Sequence, residues 1–168
     1  MKTDSKNRTV ATQLVLETPV GPLVLEGDAT GLTHIYLPGD PAPTPGTTGA
    51  EGEPAVIRAA TQLEEYFAGE RTEFDLALVA RGTPFQQSVW FALADIPYGK
   101  TISYAELAAW VGRPTAFRAV GQANGANPLP IVLPCHRVVA TGGGIGGYGG
   151  GLDMKRRLLA HENCDLVG

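Results

Sequence analysis

Cysteine is scarce in this 168-residue chain, with Cys135 and Cys164 the only two. Two thiols cannot make a disulfide framework. No C-x-x-C pair exists, and adjacent Cys135 and His136 are poorly placed to ligate one ion together with His161 and Cys164, so no metal site is expected. Long apolar runs are also missing: Pro, Gly or charge interrupts every candidate 18-residue stretch, which excludes a helical membrane span. Residues 1–10 hold four charged side chains and no apolar core, so the expectation is a protein without a secretory signal, cytoplasmic and with reduced thiols. A basic surplus is absent as well, since 13 Lys/Arg face 17 Asp/Glu for a net charge of −4. That balance hides an asymmetry. Residues 1–80 carry 5 basic and 12 acidic side chains, net −7, whereas residues 81–168 carry 8 and 5, net +3. A polyanionic partner therefore stays open for the second half only.

The first half reads as a small sheet with a helix. Residues 13–17, 23–26 and 32–37 are short β-rich runs, the first two separated by the turn signal Thr18-Pro19-Val20-Gly21-Pro22. Residues 38–53, eight of sixteen being Gly or Pro, read as a mobile surface loop. Pro54 suits the first turn of a helix whose apolar positions are Val56, Ala60, Leu63 and Phe67. Residues 73–79 are a candidate last strand, and nothing in this half has the pattern of a chemical site.

The second half is denser in signals. Thr83-Pro84-Phe85-Gln86 has the form of a capping box opening a helix to about Asp95, and Ser103-Tyr104-Ala105-Glu106 has the form of another. Gly112 stops the second helix, and Pro114 is placed to start a third running to about Asn124. Helix, short glycine turn, helix is the pattern of a helix-turn-helix, shared by DNA readers and by many helical pairs that bind no DNA. The third helix mixes Ala116, Ala119, Gly121, Ala123 and Gly125 with Arg118, Gln122 and Asn124. Such a helix can lie close against a nucleic acid, with Arg118 reaching between bases, or simply pack tightly on its neighbour with Arg118 in solvent.

Residues 127–139 carry the chemistry. Three prolines around an apolar run predict an extended, inflexible backbone that cannot be a central strand, with Cys135 and His136 side by side in it. A thiol needs a base or a positive field to become nucleophilic near neutral pH; His136 can supply the base and Arg137 the field. The alternative is a buried, inert cysteine beside a packing histidine. The last helix, residues 152–162, has Met154, Leu158 and Leu159 on its inward stripe, and Glu162 continues that stripe. An inward carboxylate could orient His136 to complete a Cys–His–Glu relay; a frayed helix end would instead leave it in water. Residues 142–151, eight glycines in ten, lack the preceding strand and the G-K-[ST] of a nucleotide loop and read as a flexible pocket wall capped by Tyr148.

Pro134-Cys135-His136-Arg137-Val138 resembles the active-site motif of the O6-alkylguanine-DNA alkyltransferases, the methylated-DNA–protein-cysteine methyltransferases. Phe85-x-x-x-Val89-Trp90, Ile96-Pro97-Tyr98-Gly99, Ser103-Tyr104, Arg118-Ala119-Val120-Gly121, Asn127-Pro128, Gly146-x-Tyr148 and Leu158-Leu159-x-x-Glu162 stand in that family's order and spacing. The resemblance is tight over residues 83–163 and loose before them. It implies a mixed α/β (α+β) fold: a small N-terminal sheet-plus-helix domain over residues 1–80, then a mostly helical domain over 81–168 with a winged helix-turn-helix. It also implies direct-reversal repair, in which a flipped nucleotide of double-stranded DNA passes its O6-alkyl group irreversibly to Cys135.

By that resemblance, Cys135 is the nucleophile, His136 the base acting through a water, Glu162 its holder, and Asn127 the brace of the turn before the active site. Tyr148 would donate to guanine N3, with Gly149 beside it in the pocket. Tyr104 would press on the flipped nucleotide's phosphate and Arg118 would fill the vacated stack, while Arg113, Ala119 and Thr141 fall at further DNA contacts. No cofactor and no metal is implied, and a monomer is expected. Gly149 stands where several members carry serine, Ala105 where a polar residue contacts DNA and Gly125 where a basic residue is frequent. Acceptance of O4-alkylthymine stays open. So do three other readings: a lesion sensor that does not repair, a cysteine hydrolase using Cys135, His136 and Glu162, and a helix-turn-helix regulator.

Overall fold

A computed structural model describes residues 11–41 and 53–164. Three strands, β1 (Thr12–Thr18), β2 (Gly21–Asp28) and β3 (Gly31–Tyr36), form an antiparallel sheet in sequence order. The β1–β2 turn falls at Pro19-Val20, as the turn signal predicts, and Thr18 Oγ1 donates across it to the Gly21 carbonyl at 2.6 Å. Leu23, Leu25, Leu32 and Ile35 are buried in the core, as are Val56, Ala59, Ala60, Leu63 and Tyr66 of α1 (Pro54–Phe67), which packs against the sheet. Each of the Leu, Ile and Val side chains among them contributes about 1.5–3 kcal/mol by leaving water. Phe67, expected on that inward stripe, is only half-buried; Tyr66 takes the interior place. Most of the loop expected at 38–53 lies outside the described residues.

The strand expected at residues 73–79 is not formed. Leu32 alone bridges it, donating to the Ala77 carbonyl and accepting from Val79 N–H. An irregularity in the β2–β3 register leaves Thr33 as an extra residue on β3, since Glu26 faces His34 while Gly27 faces Leu32. A bulge of this kind breaks the ladder. The next outward N–H, that of Ile35, goes to the Pro128 carbonyl at 2.9 Å. The edge of the sheet is thereby shared between the 73–79 segment and the loop that leads into the active site. Gly31 makes the close approach possible: a Cβ there would lie 2.6 Å from the Ala77 carbonyl oxygen.

In the second half, Thr83 accepts from Gln86 N–H and Gln86 answers to Thr83 N–H, a complete capping box that opens α2 (Pro84–Leu93). At Ser103 one side of the expected second box is present, Ser103 accepting from Glu106 N–H. It starts α3 (Tyr104–Trp110), which follows the two-residue strand β4 (Ile102–Ser103). Pro114 does not start the next helix. It occupies a turn closed by Ala116 N–H on the Arg113 carbonyl, and α4 begins later (Phe117–Gly125). Proline's fixed φ suits the second position of such a turn as well as a helix start. Trp90 of α2 donates its indole N–H to the Ala123 carbonyl at 2.7 Å, locking α4 from behind.

The proline-rich segment is not extended. Leu133 N–H returns to the Leu129 carbonyl, Ile131 has φ +74°, and Pro134 (φ −79°, ψ 68°) centres an inverse γ-turn closed by Cys135 N–H on the Leu133 carbonyl. Proline excludes the sheet as expected, but it also pre-sets tight turns. Cys135–Arg137 then form one 3-10 turn, β5 (Val138–Val139) pairs in parallel with β4, and α5 (Leu152–His161) closes the fold. Among the described residues no helix is long and apolar enough to cross a membrane.

Candidate active site

Cys135 lies on a cavity of about 410 Å³. Gly121, Asn124 and Gly125 of α4 line one side, Asn127 and Pro130 the turn beneath, and Gly147, Tyr148 and Gly149 the glycine-rich wall. Ile35, Leu37 and Asp40 reach it from the N-terminal half, where no site residue was expected. Asp40 is placed by its own turn, its Oδ2 accepting from Leu37 N–H at 2.9 Å and its N–H donating to the Leu37 carbonyl. Tyr104 fits between α4 and the wall because both neighbours lack side chains. A Cβ on Gly146 would come within 3.1 Å of the ring, and one on Gly121 within 3.9 Å.

His136 and Glu162 are both fully buried, and His136 Nε2 lies 2.8 Å from Glu162 Oε2. The glutamate is therefore inward, not frayed. Burial acts to raise its pKa, but bonds from His136, Arg137 and Tyr66 outweigh that and hold it down at about 2. An ionised carboxylate only accepts, so Nε2 carries the imidazole proton. Burial also lowers the His136 pKa, which keeps the ring neutral and leaves Nδ1 a lone pair with no protein partner. Asn127 braces the turn from both ends of its amide: Nδ2 donates to the Leu133 carbonyl at 2.7 Å and Oδ1 accepts from Leu129 N–H at 2.9 Å.

Burial pushes the Cys135 thiol up to about 11, while Asn127 and the charge of Lys155 oppose the rise. The resting cysteine is a thiol. The positive field expected from Arg137 is directed elsewhere, since its guanidinium grips both oxygens of Glu162 (Nε–Oε1 2.7 Å, Nη2–Oε2 3.1 Å) and the Ile96 carbonyl. Lys155, which the sequence pattern did not single out, is the cation acting on the thiol. It is fully buried and donates to the carbonyls of Val138 (2.6 Å) and Gly147 (2.9 Å). Tyr148 lines the cavity with its hydroxyl buried and unpartnered, and burial raises its pKa well above the usual phenol.

The remaining expected residues divide by position. Gly149 is open, with no atom within 4 Å of where a Cβ would stand, and Arg113, Arg118, Ala119 and Thr141 are exposed and do not line the cavity. Arg118 and Ala119 lie on the outward face of α4, and the Arg113 guanidinium sits 5.9 Å over the Phe85 ring. Among the described residues no cluster of three or more His, Cys, Asp or Glu side chains could hold a metal.

Two family models match nearly the whole described chain: 6-O-methylguanine DNA methyltransferase, ribonuclease-like domain, over residues 13–80, and 6-O-methylguanine DNA methyltransferase, DNA binding domain, over residues 84–164. The chain belongs to the 6-O-methylguanine DNA methyltransferase family. A methylated-DNA–protein-cysteine methyltransferase of Methanosarcina barkeri is 45% identical over 153 residues, covering 90% of this chain and 97% of that protein. One from Mycobacterium tuberculosis is 49% identical over 148 residues, covering 88% and 89%. The crystal structure of M. tuberculosis OGT in complex with DNA superposes with a TM-score of 0.78 at 46% identity, over 91% of this chain and 92% of that one. Cys135 lines the cavity, and the buried His136–Glu162 pair begins at the next residue of the chain.

Proposed function

We propose that this protein repairs double-stranded DNA by taking the alkyl group from O6-alkylguanine onto Cys135, once per molecule. The observation that carries this reading is the position of Cys135: it opens on a cavity walled by α4, one residue before the His136–Glu162 pair. The outward face of α4 enters the minor groove, with Arg118 filling the gap left by the flipped nucleotide and Tyr104 against its phosphate. Arg113, Ala119 and Thr141 add contacts around it. The extruded base enters the cavity, where the protonated Tyr148 hydroxyl donates to guanine N3.

The thiol proton passes through an intervening water to His136 Nδ1, and sulfur attacks the alkyl carbon as its bond to O6 breaks. The electrons of that bond go to guanine, which takes up a proton as it leaves; the proton lost by the thiol balances it. The product is an S-alkyl cysteine and ordinary guanine. Glu162 stays ionised throughout, keeping the imidazole in the Nε2–H form. Asn127 and Lys155 stabilise the sulfur as it becomes anionic. None of these steps calls on a cofactor, and the protein works as a cytoplasmic monomer.

The test is intact mass after incubation with excess duplex holding one O6-methylguanine. The wild type should gain a single methyl of about 14 Da, and Cys135→Ser should gain nothing while still binding the duplex. Lesion-bearing DNA bound but unrepaired by the wild type would make the protein a sensor instead.

A further inference from the structure

Tyr66 belongs to the last turn of α1, in the N-terminal half, yet its hydroxyl donates to Glu162 Oε2 at 2.5 Å across 96 residues of sequence. That oxygen is the one His136 Nε2 reaches. The residue is anchored twice, because its carbonyl also accepts from His161 Nε2 at 2.7 Å. Its fully buried ring stands edge-on to Phe67 and Tyr98 and lies 4.8 Å from the His161 ring. With Arg137 Nε on Oε1 and Arg137 Nη2, His136 and Tyr66 on Oε2, the carboxylate accepts four bonds, about as many as its lone pairs allow. A carboxylate so held has one orientation only.

We propose that Tyr66 is a positioning residue of the alkyl-transfer site: from the N-terminal half it fixes the Glu162 carboxylate and, through it, the orientation and basicity of His136. The inference rests on the alkyl-transfer function proposed above. His136 is faced by Lys155 of α5, by Glu162 at the C-cap of that helix, and by Arg137 and Cys135 from its own segment. Glu162 is faced by His136, Arg137, Tyr66 and, from the loop after α2, Tyr98, and it also acts on Tyr148 of the glycine-rich wall. Tyr66 shares Oε2 with the imidazole and draws charge from it. Without the hydroxyl, Oε2 stabilises the imidazolium more strongly and the His136 pKa rises. The neutral ring that accepts the thiol proton is then lost at a higher pH.

The experiment compares wild type with Tyr66→Phe, which keeps the ring, in single-turnover methyl transfer at saturating lesion duplex from pH 5 to 8. The variant should transfer about tenfold more slowly at the acid end, as expected for a lost bond to a charged group, with its acid limb displaced upward and duplex affinity unchanged. A rate that is unchanged, or that falls equally at every pH in step with thermal stability, reduces Tyr66 to packing and overturns the proposal. A wild type that transfers no methyl overturns the function itself, which separates the two failures. One readout needs no variant. In the wild type, proton NMR should show the Tyr66 hydroxyl proton in slow exchange and close to His136 Nε2–H, and absence of that cross-peak would also sink the assignment.

Discussion

Lys155 carries an ammonium group into the interior, and among the described residues it forms no ion pair: two carbonyls hold it, and burial lowers its pKa to about 8. Its charge and that of a Cys135 thiolate favour one another. Lys155→Met keeps the length of the side chain and removes both bonds, leaving the Val138 and Gly147 carbonyls unpaired at a cost of about 1–3 kcal/mol. The variant should also alkylate with iodoacetamide only at higher pH than wild type and transfer methyl at least tenfold more slowly, by the loss of a charge next to the reacting sulfur. An unmoved thiol titration would confine Lys155 to the fold. The sequence held the signal for this residue. Lys155 lies three and four positions before Leu158 and Leu159, as Glu162 lies four and three after them, so one helical stripe places both inward. Tyr66 had no such signal, because its partner is 96 residues away and only the tertiary fold brings them together.

At the scale of elements, α4 presents two different faces. Val120, Ala123 and Asn124 are buried, and Gly121 and Gly125 open toward the cavity, while Arg118, Ala119 and Gln122 point outward. Arg118→Ala should therefore slow methyl transfer from duplex DNA by about 100-fold or less, through weaker extrusion, since unstacking a base costs a few kcal/mol. Transfer from the free base O6-benzylguanine should stay at the wild-type rate, because the cavity and the Cys135–His136–Glu162 constellation are untouched. Equal losses on both substrates would mean that α4 shapes the pocket and not the extrusion step. Capping chemistry made α2 and α3 legible from Thr83 and Ser103, and helical periodicity did the same for α5. Proline was ambiguous: Pro54 and Pro84 start helices, Pro114 makes a turn, and Pro134 centres an inverse γ-turn. Its fixed φ is common to all of these, and only the neighbours' hydrogen bonds decide among them. The 73–79 segment failed as a strand for a similar reason, since a bulge at Thr33 in a different element ended its ladder.

Over the whole molecule, the two halves meet, among the described residues, at a buried charge cluster as well as at the Ile35–Pro128 bond and the cavity wall. Glu162 binds α1 through Tyr66, the cysteine-bearing segment through His136 and Arg137, and α5 as the residue that caps its C-terminus. Acid attacks that junction through two groups. The Glu162 pKa falls from 4.5 unfolded to about 2 folded, so the stability it contributes is complete above about pH 4.5 and is lost as pH drops toward 2. His136 is also lowered from 6.5, so the unfolded chain binds its proton first and stability begins to fall as pH passes below that value. Both signs agree, because in each window the unfolded state holds more protons. The urea midpoint should therefore decline gently from pH 7 to 5 and steeply below 4.5, at nearly constant m-value if the halves unfold together. Tyr66→Phe weakens the hold on the carboxylate and raises its folded pKa, so the steep limb should shrink in that variant, and the gentle limb should shrink with it because the His136 pKa moves back toward its unfolded value. A wild-type midpoint that is flat from pH 7 to 3 would mean that the cluster at Glu162 does not join the halves energetically, whatever its geometry.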